Sequence, residues 1–300
     1  MYISTEIGSY YRYGDNKQVI KMLKNAGFDA CDFSMMLNGR NDAFVDKYDY
    51  ASRARELRKF VDGEGMAINQ THSPFPSARP GDEDYNGKEL KLISRAIEVS
   101  GILGAKVCVV HPCNFYTAEQ NAELVYAPIT PDAKDCGVKI GVENMWNRKD
   151  GDEYASPAAC SSPTDFMKHL SLLDEETFGA CLDIGHAEMR GTGATAVSMI
   201  ETLDKRLIAL HLHDNDLVRD LHMMPFSYSI NFEEIIIALK KIGYVGDVTL
   251  EADSVAPRLP IELYPSAARY AADVAKYLRS RLSPRDDAAV EKILKSQAIL

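Results

Sequence analysis

Eight short apolar runs, each followed by a helical pattern, predict an α/β chain folded as a parallel (β/α)8 TIM barrel. Two further observations narrow the choice. The turn after the first run is Gly8-Ser9-Tyr10-Tyr11-Arg12-Tyr13-Gly14; GxGxxG is absent there, and GxxxxGK[ST] is absent throughout. An open doubly wound sheet, the rival arrangement, favours such a nucleotide loop and loses support. No Gly/Ser linker interrupts the alternation, so residues 1–282 read as one barrel domain. Residues 283–300 read as a polar, amphipathic C-terminal helical extension.

The candidate strands are Tyr2–Ile7, Ala30–Phe33, Ala67–Thr71, Val107–His111, Lys139–Glu143, Ala180–Ile184, Ile208–His213 and Val248–Glu251. Each is apolar in part on both faces, as a buried parallel strand is. The first helix, Asp15–Asn25, opens on a capping aspartate and closes before Gly27. Tyr50–Asp62 carries the stripe Ala54, Leu57, Val61, and Lys88–Leu103 carries Leu92, Ile93, Ala96, Val99 before Gly104. In Thr117–Cys136, Pro128 and Pro131 predict a break. Ser162-Pro163-Thr164 opens the next helix with proline near its first position. Thr195–Leu203, Phe232–Ile242 and Ile261–Leu282 complete the set.

Composition excludes several function classes. Apolar residues make up 46% and charged residues 26% of the 300, an ordinary globular balance. With 34 basic against 44 acidic residues, the net charge of −10 excludes a general basic field for nucleic acid. The six cysteines form no CxxC and no disulfide framework. The N-terminal MYISTEIGSY lacks the features of a secretory signal, and no run approaches 18 apolar residues. A cytoplasmic address and no membrane association are expected. The oligomeric state is left open, a homo-oligomer included.

Chemistry is concentrated at strand ends. Of seven histidines, His72, His111, His186, His211 and His213 lie in or at the ends of candidate strands, His222 follows the seventh, and only His169 is helical. Glu6, Glu143, Asp183 and Glu251 each close an apolar run. In a barrel these ends meet on one face, where active sites of this fold are built. Buried carboxylates that converge require a cation or a shared proton. Imidazole with carboxylate and no thiolate suits a divalent ion such as zinc, manganese, cobalt or iron, and magnesium less well. Cys113 and Cys181 read as small apolar residues. Trp146, three residues beyond Glu143, offers an aromatic face for the apolar side of a sugar ring.

Seven motifs in order carry a family resemblance: NQTHSPF with His72, VVHP with His111, GVENMW with Glu143, CLDIGHA with Asp183 and His186, ALHLHDND with His211, DLHMMPF with Asp220 and His222, and GYVGDVTLEAD with Glu251. Over nearly its whole length the chain resembles the xylose isomerase-like TIM barrels. These are sugar isomerases and epimerases related to the endonuclease IV type of apurinic endonuclease. The ketose 3-epimerase branch implies a metal held by Glu143, Asp183, His211 and Glu251, with His211 preferred to His213 because it stands three residues before Asp214. Glu143 and Glu251 would also serve as acid and base, and His186 would bond a substrate oxygen.

The resemblance implies an isomerase or epimerase of a sugar, sugar phosphate or related polyol, working through a metal-stabilised enediolate. His72, His111, His186, Trp146, Asp220 and His222 would face the substrate. A dehydratase of the inosose or dehydroshikimate type would use the same site. Two departures stand out. Position 217 is leucine where the epimerase branch has arginine, with Arg219 nearby, and His72, His111, Asp220 and His222 match additional ligands of the three-metal endonuclease. Phosphodiester hydrolysis on abasic DNA is the competing expectation, opposed by the acidic charge. A barrel that binds a sugar without turnover is the third, opposed by the buried carboxylates.

Overall fold

The computed structural model describes residues 1–36 and 44–282. The expected helical tail over 283–300 lies outside the described residues. Eight strands alternate with helices: β1 Ile3–Thr5, β2 Ala30–Ser34, β3 Ala67–His72, β4 Val107–Val110, β5 Lys139–Glu143, β6 Phe178–Asp183, β7 Leu207–His211 and β8 Val248–Leu250. Strands β2 to β7 form one six-stranded parallel sheet in sequence order, and β1 pairs with β8 separately. Parallel bridges join the two pieces, Glu6 to Asp32 at one seam and Leu212 to Leu250 at the other. The expectation of eight strands in a single sheet is therefore met in part. Strands β1 and β8 have three residues each, which leaves too short a ladder for regular pairing at the seams.

Strand alternation sorts the side chains into two layers. Cys108, Val110, Ile140, Val142, Ala180, Leu182 and Leu210 join the main apolar core with the helices. Their neighbours Val107, Val109, Cys181 and Ala209 form a small separate cluster on the opposite face. Space there is tight. A Cβ on Gly141 would stand 3.1 Å from Val107 Cγ1 and 3.2 Å from Cys181 Cβ. Glu143, Asp183 and His211 follow in the register of Gly141, Cys181 and Ala209, so the same alternation carries them to one place. Beneath lies a polar layer in which Ser4 Oγ donates to Thr249 Oγ1 at 2.8 Å and Gln70 Nε2 donates to Asp32 Oδ2 at 2.7 Å.

The helices follow their end signals. Helix α1, Asn16–Ala26, starts in a capping box between Asp15 and Gln18 and ends at Gly27, φ 103°. Helix α2 is Tyr50–Gly63, and α3 is Glu83–Leu103. The latter begins earlier than expected because Asp82 accepts the backbone N–H of Tyr85. The predicted break in Thr117–Cys136 does not occur. Helix α4, Ala118–Asn121, passes through a π-helical turn, Ala122–Tyr126, into α5, Ala127–Cys136. Pro128 falls in the first turn of α5, where its missing N–H is not needed, and Thr130 Oγ1 donates to the Tyr126 carbonyl at 2.8 Å. The remaining helices are α6 Pro163–Ser171, α7 Ile184–Glu188, α8 Ala196–Leu203, α9 Phe232–Lys241 and α10 Tyr264–Leu282. Among the described residues, no helix is long and apolar enough to cross a membrane.

Candidate metal centre

Four side chains from consecutive strand ends form the middle of the cluster. Glu143 closes β5, Asp183 closes β6, His211 closes β7, and Glu251 follows β8; one ligand atom from each lies within 4.8 Å of all the others. His211 Nδ1 is 3.3 Å from Glu143 Oε1 and 3.5 Å from Glu251 Oε2. It makes no hydrogen bond. The opposite nitrogen, Nε2, rests 3.4 Å from Cys181 Sγ. Cys181, expected as an apolar filler, thus also touches the centre. Burial, then the charge of Glu143, raises its thiol pKa well above the ordinary range, so it stays protonated.

One flank comes from β3 and β4. His111 Nε2 is 3.0 Å from Glu143 Oε2, and His72 Nε2 is 3.5 Å from Glu251 Oε1. Behind His72, Asp32 on β2 approaches Nδ1 at 3.1 Å. The His72 and His211 rings stack with centroids 4.6 Å apart.

The other flank comes from the turn after β6 and the long loop after β7. His186, His213, Asp220 and His222 again bring ligand atoms within 4.8 Å of one another. Asp220 Oδ2 lies 3.4 Å from His186 Nε2 and 3.1 Å from His222 Nε2. Two backbone carbonyls orient the rings: His186 Nδ1 is 2.9 Å from the oxygen of Asn144, and His222 Nδ1 is 2.9 Å from that of Glu251. His222 adopts φ 45°, a left-handed conformation unusual outside glycine. A third group, His222 with Glu251 and Asp253, extends the cluster toward the loop after β8.

The electrostatics are those of buried anions short of cations. Among the described residues, the ion partners within 4.0 Å of Asp32, Glu143, Asp183, Asp220 and Glu251 are all imidazoles. Burial alone would raise the Glu143 carboxyl, but His211 and then His111 hold it well below the usual range. Asp183 and Asp220 follow suit: burial opposes their charge and His186 leads the groups that lower them. Glu251 goes the other way, raised by burial and then by repulsion from Glu143 and Asp183. Burial also opposes a charged imidazole, yet Asp32 lifts His72 to about 9 and Asp220 lifts His222 to about 9. Positive charge is thus drawn into the cluster as imidazolium. A divalent cation supplies the same charge to the same donors, so the residues fit one.

Most residues singled out in the sequence meet here. Trp146 is tied in through its indole N–H, which donates to Asp220 Oδ2 at 3.2 Å, while the Arg148 guanidinium lies 5.7 Å from its ring centroid. His169, expected on a helix, is on α6, with Nε2 3.2 Å from Asn121 Nδ2. Sequence reasoning missed Asp32, Asn144 and Asp253 and set His213 aside. Alternation offered a signal for two of these. Asp32 sits between the core residues Cys31 and Phe33, and His213 is two residues past His211.

Comparison with known proteins places the chain. It is 30% identical over 194 residues to an uncharacterized protein of Methanocaldococcus jannaschii, covering 61% of this chain and 64% of that one. It is 26% identical over 172 residues to an uncharacterized protein of Sinorhizobium fredii, covering 54% of this chain and 52% of that one. The matches thus span less than two thirds of either relative. Among solved structures, a D-psicose 3-epimerase in the presence of D-fructose superposes with a TM-score of 0.71 at 14% identity, covering 93% of this chain and 99% of that one. The 3-keto-D-glucoside 4-epimerase of E. coli gives 0.67 at 17% identity, covering 93% and 99%. The IOLI protein with a binding zinc atom gives 0.69 at 15% identity, covering 94% and 98%. A family model described as xylose isomerase-like TIM barrel matches residues 20–281, and the chain belongs to that family.

Proposed function

We propose that this protein is a divalent-metal-dependent isomerase or epimerase of a sugar, sugar phosphate or related polyol. The observation that carries the proposal is the convergence of Glu143, Asp183, His211 and Glu251, nearly fully buried, with imidazoles for partners. Zinc, manganese and cobalt suit this donor set best, with magnesium admitted. A cation bound there would act as a Lewis acid toward the substrate's carbonyl and hydroxyl oxygens. Similarity to sugar epimerases and to a zinc-binding structure supports the choice of reaction and cofactor.

The chain's own residues supply the proton transfers. Glu143 and Glu251 shift in opposite directions: His211 and then His111 hold Glu143 low, while burial and then the charge of Glu143 raise Glu251. Such a pair shares one proton, which one member can accept from carbon and the other return. His186, held by the Asn144 carbonyl, presents Nε2 toward Asp220 and would bond a substrate oxygen there. His72, His111, Asp220 and His222 surround the same space. Expulsion of a hydroxyl group, as in an inosose dehydratase, would use the same base.

One observation favours a second reading, three-ion hydrolysis of a phosphodiester: ligand groups are present on both flanks as well as in the middle. The net charge of −10 opposes it. The test is a screen of the metal-loaded protein against ketoses and inososes for exchange of a carbon-bound proton with solvent. Glu143→Gln and Glu251→Gln should each lower that exchange by about 10²–10⁴-fold, with ion content measured beside it. Variants that keep the ion and the parent rate would sink the two-glutamate mechanism. Metal-dependent nicking of abasic DNA, with no sugar turned over, would establish the second reading.

A further inference from the structure

His213 belongs to a group whose ligand atoms lie within 4.8 Å, so the simplest reading makes it a ligand of the ion that His186, Asp220 and His222 would hold. Ring geometry argues against this. The His213 and His222 rings are stacked, with centroids 4.0 Å apart and planes 9° from parallel. An imidazole lone pair lies in the ring plane and meets its ion at about 2.0–2.1 Å. Two stacked, nearly parallel planes do not meet inside the site, so one ion cannot lie in both. One of the two rings must serve otherwise.

The contacts of His213 identify its work. Its Nε2 is 3.0 Å from Asp183 Oδ1 and 3.1 Å from Oδ2, whereas Nδ1 is buried with no hydrogen-bond partner. A proton on Nδ1 would find no acceptor and would leave the Nε2 lone pair against a carboxylate. The proton therefore belongs on Nε2, donated to Asp183. Asp183 Oδ1 also accepts the backbone N–H of His186 at 2.7 Å. Two donors thus fix the carboxylate and leave Oδ2 with a lone pair for the centre.

The backbone is built around this ring. A Cβ on Gly185 would fall 1.9 Å from His213 Cε1 and 2.4 Å from Nε2. Gly185 is not among the glycines with positive φ, so it is needed here for space and not for its backbone freedom. Asn215 Nδ2 donates to the Gly185 carbonyl at 2.9 Å and pins the turn beside the ring.

We propose that His213 is a positioning residue linking the two ligand groups: its Nε2–H orients Asp183, and its ring face seats His222. The inference rests on the metal-binding reading above. It is tested by zinc affinity, measured by chelator competition on the full chain, with circular dichroism of each metal-stripped variant as the check on folding. His213→Leu fills the space without a donor and should weaken zinc binding about 10–100-fold. His213→Gln, whose amide nitrogen can reach the Nε2 position, should restore most of that loss. Gly185→Ala, which displaces the ring, should reproduce the leucine effect, and the double variant Gly185→Ala/His213→Leu should be no worse than either.

A leucine variant that binds zinc like the parent overturns the inference. So do equal losses in the leucine and glutamine variants, which would assign the effect to packing. A parent that takes up no zinc overturns the metal reading itself, and this inference with it; an unchanged leucine variant beside a zinc-binding parent overturns this inference alone.

Discussion

The two flanks of the centre are built by different means. His72 stands on a regular strand, fully buried, with a carboxylate behind it. Asp220 and His222 come from a loop, their side chains 16% and 22% exposed, and His222 is backed by a backbone carbonyl. A strand fixes its side chain through ladder and packing, whereas the loop needs a left-handed residue and several local hydrogen bonds to reach the same face. The first flank is therefore the deeper one, and the second is the side nearer solvent. On the three-ion reading, an ion on the β3/β4 side would be slow to leave, and one on the loop side would be removed first by a chelator.

Direct removal of a donor gives the largest effect. On the three-ion reading, His222→Ala should abolish uptake of a loop-side ion while the middle group keeps its own, read as loss of one bound ion per chain by elemental analysis; on the one-ion reading the ion count should not change. Loss of every ion would show that the flanks are not separable. Asp32→Asn comes next. It keeps the shape and removes the charge behind His72, so on the same three-ion reading affinity on the strand side should fall about 10–100-fold with the loop side unchanged. A uniform loss on both sides would erase the distinction.

The smallest effect is the pH dependence. His72 and His222 are raised to about 9, above the 6.5 of a free imidazole. A raised histidine contributes stability that is fully present below about pH 6.5 and is lost as pH rises through about 9. The metal-stripped protein should therefore melt lower at pH 9 than at pH 6.5, by about 2–4 °C per kcal/mol lost. Zinc bound to the middle group would disfavour imidazolium beside it and the loss should shrink, so the gain from zinc grows with pH. A gain from zinc that does not change between pH 6.5 and 9 would contradict the assigned directions.

Much of this was legible in the sequence because strand periodicity does two jobs at once. The apolar alternation that marks β5, β6 and β7 also sends Glu143, Asp183 and His211 to one face, so element and site are read from the same residues. Asp32 escaped because it falls inside an apolar run, where only the face it points to separates it from Cys31 and Phe33. His213 was set aside because spacing ranks one histidine against another as ligand and has no place for a residue that orients a ligand. The proline-bearing stretch failed for a local reason: two prolines read as a break, but a π turn ahead of α5 puts Pro128 where no N–H is required. The seams beside β1 and β8 were also beyond reach, since the pairing of three-residue strands depends on long-range register.

The central claim is that Glu143, Asp183, His211 and Glu251 hold one divalent ion. A crystal structure of the zinc-loaded protein, with anomalous scattering recorded at the zinc edge, tests it most directly. The account predicts an anomalous peak bonded to donor atoms of these four residues at about 2.0–2.3 Å. A zinc-loaded crystal with no peak among the four, or with its zinc bound only at surface residues, would contradict it.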